Sequence, residues 1–115
     1  MRVAISATGD SPESLVHRLF GRCEWFIIFD EIHQPAKVIK NIHTEAPTGA
    51  GIGCAQDLIQ EGVGAVISGQ FGPKAYEVFK QAGVEMYLVP PNISTQEAYK
   101  RCLSHNLEKM EVRKF

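Results

Sequence analysis

Two short segments of the chain are apolar almost throughout, and they restrict what it can fold into. One runs from Trp25 to Asp30 and the other from Val63 to Ile67. Aromatic and β-branched residues favour strands, and a strand that lacks polar alternation has to be covered on both faces. Such strands lie in sheets with helices packed on either side. We therefore predict an α/β fold.

The rest of the chain alternates between strand-like and helical patterns, and its 115 residues suffice for one compact domain. Strands are predicted at residues 2–7, 25–30, 36–42, 63–67 and 84–89. Helices are predicted at residues 52–61 and 73–82 and after Ser94, which makes a capping box with Glu97. A short helical turn is predicted from Ser11, carrying Leu15, Val16 and Leu19. His33 falls in a hairpin turn, and residues 108–115 form a charged tail.

This order of elements predicts a five-stranded mixed sheet with strand order 3-2-1-4-5, in which only strand two is antiparallel, and with helices on its faces. The carboxyl ends of strands one, three, four and five then share one edge with the amino end of strand two. That edge collects residues 8–23, 43–54 and 68–74, and it includes the switch point where open α/β sheets bind ligands. We expect the functional site there.

Two glycine-rich segments lie at this edge, and each precedes a predicted helix. Gly49, Gly51 and Gly53 open the first helix, whereas Gly69 and Gly72 precede the second. Glycine lets a ligand approach bare amides, and the first turn of a helix leaves N–H groups free and carries partial positive charge. An anion site is one interpretation, and a tight turn for close helix packing is the other. Neither segment matches a dinucleotide or P-loop motif.

Composition excludes several classes of partner. The formal net charge of -1 provides no broad basic field for nucleic acid or anionic membrane. No apolar run approaches the length of a membrane span, and the first residues lead into a strand instead of a signal peptide, so we expect a cytoplasmic protein. Three widely spaced cysteines form no disulfide framework or zinc-finger pattern and should remain thiols.

Two of these cysteines have neighbours that favour thiolate. Cys23 follows Arg22, and Cys54 lies in the first turn of a glycine-opened helix, so both thiols are expected to have lowered pKa values. Cys23 is the leading ligand candidate, whereas Cys54 and Cys102 are favoured as core residues. Thiolate with imidazole from His17 or His43 would suit iron–sulfur or thiomolybdate-like clusters, copper(I) or zinc.

The chain resembles the dinitrogenase iron–molybdenum cofactor biosynthesis family, of the NifX, NafY and NifB C-terminal type, to which the orange-protein molybdenum–copper carriers are also similar. The resemblance covers residues 1 to about 107 and is carried by segments 20–23, 25–30, 49–52, 62–63, 67–69 and 72–75. It implies a ribonuclease-H-like three-layer fold and one cofactor-binding domain over residues 1–107. It also implies non-enzymatic carriage of an iron–sulfur-based cofactor or its precursor.

One position departs from the family. Members that bind cofactor often have histidine immediately before the Phe-Gly pair, where this chain has Leu19. The nearest histidine is His17, and a shifted loop would let His17 or His43 substitute. Cys23 matches a cysteine found in part of the family.

The sequence therefore predicts a small cluster carrier or scaffold, exchanging an iron–sulfur, iron–molybdenum or molybdenum–copper sulfide cluster with donor and acceptor proteins. We expect a monomer or a weak homodimer. The metal ligands are predicted to be Cys23 with His17 or His43. The other contacts are predicted at Gly21, Arg22, Gly49, Gly51, Gly53, Gly69, Gly72 and Lys74.

Three other functions stay open. A metal-free anion or nucleotide binder would use the two glycine-rich segments. A protein–protein adaptor is a second alternative, and no exposed stripe in the sequence identifies its surface. A nuclease is the least favoured, because it needs converging carboxylates and Asp10, Asp30 and Asp57 are not expected to meet.

Overall fold

A computed structural model describes residues 1–32, 35 and 37–110 of the chain. The strands are β1 (Val3–Ala7), β2 (Trp25–Phe29), β3 (Lys37–Lys40), β4 (Ala65–Ser68), β5 (Glu85–Leu88) and β6 (Glu108–Lys109). The helices are α1 (Ala50–Gln60), α2 (Pro73–Gln81) and α3 (Thr95–Leu103). His33 and residues 111–115 of the predicted tail lie outside the described residues.

The strands form one sheet in the order β3-β2-β1-β4-β5-β6. The predicted order of the first five strands and the antiparallel setting of β2 are confirmed. The predicted number of five strands is wrong, because Glu108 and Lys109 of the expected tail pair antiparallel with β5. These two exposed, charged residues carry no strand pattern, so only the pairing reveals them. The resemblance to ribonuclease H and the domain boundary at residue 107 stay predictions.

Helices cover both faces of the sheet, as the apolar segments predict. On one face, α1 and α2 enclose a core that includes Ile28, Val66 and Phe79. On the other face, α3 packs Tyr99 against the ring of Phe29, with the ring centroids 4.8 Å apart. Alternate residues of each central strand therefore enter different cores. None of the described helices has both the length and the apolar character needed to cross a membrane.

The segment between β1 and β2 forms one hydrogen-bonded turn at Ser11, where the Ser14 N–H donates to the Ser11 carbonyl at 3.0 Å, but the prediction that a helical turn carries Leu15 and Val16 is wrong. Leu15 and Val16 instead form isolated β-bridges with Ser94 and Ala7. The Val16 N–H donates to the Ile93 carbonyl at 2.8 Å. The backbone of this segment is thus paired with the sheet end and the loop before α3. Spaced apolar residues could serve either conformation equally well.

The prediction that the carboxyl ends of four strands lie at one edge of the sheet is confirmed. β1, β3, β4 and β5 all point their carboxyl ends to it, and β2 begins there. The loops that follow these strands therefore lie side by side. Residues 20–23, 43–49 and 69–72, which are distant in sequence, meet at this end of the molecule.

Candidate functional site

A cleft of about 300 Å³ lies at this edge, between the start of α1 and the start of α2. Five of the predicted contact residues line it together. The lining residues are Phe20, Arg22, Gly49, Ala50, Gly51, Ile52, Gly72, Pro73, Lys74 and Ala75.

Glycine allows the cleft walls to approach each other closely. Gly21 has φ of 98°, and a Cβ added to it would lie 3.1 Å from both the Cα and the N of Gly51. The loop before β2 therefore rests directly on the first turn of α1. A Cβ added to Gly51 would in turn lie 3.3 Å from the Cβ of Ala75 in α2. Three elements thus meet through backbone and methyl groups.

The two helices that border the cleft begin without side-chain caps. Their N-cap residues are Gly49 and Gly72, and neither helix has an acidic residue in its first turn. By contrast, the Ser94 hydroxyl caps α3 by accepting a hydrogen bond from the Glu97 N–H at 3.1 Å. The uncapped N–H groups of α1 and α2 give the cleft partial positive charge.

Two cations add to this charge. Lys74 is exposed in the first turn of α2, and no carboxylate of the described residues forms an ion pair with it. Arg22 is also exposed, and its Nη1 donates to the carbonyls of Thr44 and Ala46 at 3.0 and 2.9 Å. Arg22 therefore holds the loop at residues 43–47 in place while its charge stays beside the cleft.

An aromatic cluster supports the cleft from below. The Phe20 ring lies 5.5 Å from Phe26, 5.2 Å from Phe71 and 5.3 Å from Phe79, measured between ring centroids. Tilted and edge-on contacts of this kind fix ring positions as well as burying apolar area. The residue directly before Gly21 is thus anchored in the core.

The predicted thiol chemistry is wrong in one respect, because burial raises both pKa values instead of lowering them. Cys23 is 0% exposed and Cys54 is 1% exposed. Desolvation raises the pKa of Cys23 to about 11 and that of Cys54 to about 12. The Arg22 charge lowers the pKa of Cys54, but this effect is smaller than desolvation. Both groups are neutral thiols at pH 7.

Asn41 is a buried polar residue that the sequence analysis missed. Its Nδ2 donates to the carbonyls of Gly21 and Cys23 at 3.1 and 2.8 Å. Its Oδ1 accepts from the His43 N–H at 2.8 Å and from the Cys54 thiol at 3.1 Å. Asn41 therefore ties together three segments behind the cleft. The sequence analysis includes Asn41 in the predicted strand at residues 36–42, and a single asparagine near a strand end is also typical of an ordinary turn, so its sequence context carried no signal.

The two candidate histidines lie outside the cleft. His43 Nε2 is 2.9 Å from Oδ2 of Asp57, and its ring covers Gly53, where a Cβ would lie 2.6 Å from Cε1. His17 Nδ1 accepts from the Leu19 N–H at 3.1 Å, and His17 lines a separate cleft. Gly53 and Gly69 are not cleft residues either. Gly69 makes room for backbone, since its Cβ would lie 2.7 Å from the Cα of Arg18.

Within residues 1–32, 35 and 37–110, no group of three His, Cys, Asp or Glu side chains could hold a metal ion. The structure therefore does not bring Cys23, His17 and His43 together as one ligand set. Direct ligation by any one of them stays a prediction.

Comparison with known proteins was made on both sequence and structure. Residues 1–105 match the family model described as dinitrogenase iron-molybdenum cofactor. An uncharacterised protein of Methanocaldococcus jannaschii is 38% identical over 95 residues, which is 80% of each chain. The apo form of the orange protein from Desulfovibrio gigas superposes with a TM-score of 0.89 at 29% identity, covering 95% of this chain and 92% of that one. A Thermotoga protein described as a NifB candidate of the DUF35 family has a TM-score of 0.82 at 33% identity, covering 99% and 98%.

Proposed function

The chain belongs to the dinitrogenase iron–molybdenum cofactor family, and we propose that it is a non-enzymatic carrier of a small anionic metal–sulfide cluster. The cluster is cargo, held in the cleft between the starts of α1 and α2. One observation carries the proposal: two uncapped helix starts and the cations Arg22 and Lys74 border the same concave surface. Iron–sulfur, iron–molybdenum and molybdenum–copper sulfide clusters share the chemistry that this surface would recognise.

The residues of the cleft fit an anion better than a bare metal ion. Sulfide and thiomolybdate groups accept hydrogen bonds from amides and are attracted by the nearby cations. A volume of about 300 Å³ is sufficient for a small cluster. The buried thiol of Cys23 offers no thiolate to the cleft as the loops are arranged. Contacts of this kind suit transfer, because release then breaks no metal–protein bond.

The non-enzymatic part of the proposal is supported by the separation of the acidic groups. Asp10 follows β1 at the functional edge, Asp30 follows β2 at the opposite edge, and Asp57 lies within α1. Among the described residues these aspartates form no site for a pair of divalent ions. We further infer a cytoplasmic protein that acts as a monomer or weak homodimer with donor and acceptor proteins.

The test is reconstitution under anaerobic conditions with iron, sulfide and thiomolybdate, with and without copper, followed by elemental analysis of the desalted protein. The wild type is expected to retain metal with sulfide. Lys74→Glu reverses a charge at the cleft and should weaken retention at least about 10-fold, because like charges repel. Lys100→Glu on α3, across the sheet, makes the same change outside the cleft and should bind like the wild type. Equal retention in both variants would contradict the cleft.

The same assay separates the cleft from direct thiolate ligation. Loss of cargo in Cys23→Ser with full retention in Lys74→Glu would place the cluster on the thiol instead. If no cluster is retained at all, a panel of nucleotides and inorganic phosphate tests the metal-free alternative. Saturating ligand at about 100 times its dissociation constant would add roughly 2.7 kcal/mol of stability, measurable as a rise in Tm.

A further inference from the structure

The ring of His43 occupies a place on α1 that a glycine leaves open. A Cβ added to Gly53 would lie 2.6, 2.7 and 2.9 Å from the Cε1, Nδ1 and Nε2 atoms of that ring. Gly53 is inside the helix, and its N–H donates to the Gly49 carbonyl at 3.0 Å. Glycine is less favourable than alanine at such a position. The contact with His43 accounts for it, because a residue with a side chain would displace the ring.

Asp57, one turn further along α1, binds the same ring. Its Oδ2 lies 2.9 Å from His43 Nε2, and the imidazole is the donor because an ionised carboxylate only accepts. The His43 N–H donates to Asn41 Oδ1 at 2.8 Å. Both the backbone and the side chain of His43 are thus fixed. The loop at residues 43–47 is therefore held against α1 at its first residue.

This loop in turn holds the end of the Arg22 side chain. Arg22 Nη1 donates to the Thr44 and Ala46 carbonyls at 3.0 and 2.9 Å. The Ala46 N–H donates to the His43 carbonyl at 3.1 Å, so His43 and both acceptors belong to one turn. A guanidinium has five N–H groups, and no acceptor among the described residues takes the three on Nε and Nη2. Arg22 therefore keeps donors for an anion in the cleft that it lines.

We propose that His43 and Asp57 are positioning residues, which hold the Arg22 guanidinium at the cleft through the loop at residues 43–47. The inference rests on the proposed function, because it concerns the same cleft. An exposed arginine has many rotamers, and restricting them on binding costs entropy that lowers the affinity. Holding the guanidinium before the anion arrives removes much of this cost. His43 thus acts on cargo without contacting it, unlike a metal ligand.

The first measurement is the dissociation constant of tetrathiomolybdate, obtained anaerobically by equilibrium dialysis. Gly53→Ala displaces the His43 ring but places a better helix former in α1, so the variant should fold. We expect it to weaken binding at least about 5-fold, because Arg22 is no longer held in advance. Gly64→Ala is the matched control. Its Cβ would lie 2.6 Å from the Met1 side chain, at the opposite edge of the sheet, and the affinity should stay within about 2-fold of the wild type.

A double variant separates positioning from a merely structural effect. If His43 acts through Arg22, Gly53→Ala should weaken binding no further in an Arg22→Ala background, within about 2-fold. Losses that multiply would mean that His43 acts on the anion independently, as a ligand would, and would overturn the proposal. Equal affinities of Gly53→Ala and the wild type would also overturn it.

Nuclear magnetic resonance of the Arg22 side chain gives a readout that needs no cargo. Rotation about its Nε–Cζ bond should be at least about 3-fold faster in Gly53→Ala, because the Thr44 and Ala46 carbonyls no longer hold Nη1. Gly64→Ala should match the wild type. A wild type that binds no tetrathiomolybdate but shows this difference would contradict the proposed function and support the positioning of Arg22. Unchanged rotation in Gly53→Ala would overturn the inference whatever the cleft binds.

Discussion

At the scale of single residues, Gly21 determines how closely the loop before β2 approaches α1. Its φ of 98° lies in the left-handed region, and its missing Cβ would lie 3.1 Å from backbone atoms of Gly51. Backbone cannot move aside as the end of a long side chain can. The contact also holds Gly51, which lines the cleft, against the loop before β2. A substitution at Gly21 should therefore lower the free energy of unfolding.

We predict that Gly21→Ala lowers the free energy of unfolding by about 3 kcal/mol, combining left-handed strain with overpacking against Gly51. Gly83→Ala is the matched control, because Gly83 has φ of 74° but no atom within 4 Å of an added Cβ. It should lose only about 1 kcal/mol, the cost of the backbone conformation. Urea denaturation of both variants measures the difference. Equal losses would show that the loop and the helix do not press together at Gly21.

The sequence identified residues that carry chemistry, but it could not say what each one faces. Gly49 and Gly51 line the cleft as expected, whereas Gly53 makes room for the His43 ring and Gly69 for the backbone of Arg18. The presence of a glycine in a sequence does not reveal whether a ligand, a side chain or backbone lies beside it. Likewise, adjacency to Arg22 and a helix start predicted low thiol pKa values. Burial, a tertiary property, reversed that outcome.

At the scale of elements, the three helices differ in how they begin. α1 and α2 start from glycine with no side-chain cap, and both starts border the cleft. α3 starts at Ser94, which the sequence correctly predicted as a cap. The cap satisfies an N–H group that glycine leaves available to a ligand. The helix that does not border the cleft, α3, is therefore the one whose first turn is capped by a side chain.

We predict that Ser94→Ala lowers the free energy of unfolding by about 1 kcal/mol, because the Glu97 N–H loses its hydrogen-bond acceptor. Ser104→Ala at the other end of α3 serves as the control. Its exposed hydroxyl donates to helix carbonyls that water can also reach, so the loss should stay within about 0.5 kcal/mol. Thermal or urea unfolding of the pair checks the comparison. A larger loss in Ser104→Ala would mean that the start of α3 does not limit its stability.

Elements with a long, strong pattern were predictable, and short ones were not. The apolar strands β2 and β4 and the three helices lie where their periodicity places them, within a few residues. β6 has two exposed charged residues, and the bridges of Leu15 and Val16 occupy single positions. Such pairings depend on the partner that the folded chain presents. Local sequence contains no record of that partner.

At the scale of the whole molecule, the site follows from topology more than from any motif. Parallel β1, β4 and β5 direct their following loops to one edge, and the antiparallel β2 returns residues 20–23 to the same place. This arrangement was predictable because strand order and direction follow from a few connection rules. The division of that edge into separate clefts was not. His17 lines a different cleft from the one at the starts of α1 and α2, and the backbone of Arg18 lies against Gly69.

The last strand, β6, lies beyond the predicted domain boundary at residue 107. Met110 packs against the core beneath α1 and α2, and its N–H donates to the Met86 carbonyl at 2.8 Å. We predict that a chain of residues 1–107 folds but is about 2 kcal/mol less stable than a chain of residues 1–110, from lost apolar burial and strand hydrogen bonds. Urea denaturation of the two chains measures this, with cargo retention as the second readout. The cleft lies between the starts of α1 and α2, and the shorter chain keeps all of its lining residues, so retention should be equal. A chain of residues 1–107 that fails to fold would move the domain boundary to residue 110, and one of equal stability would show that β6 adds nothing to the fold.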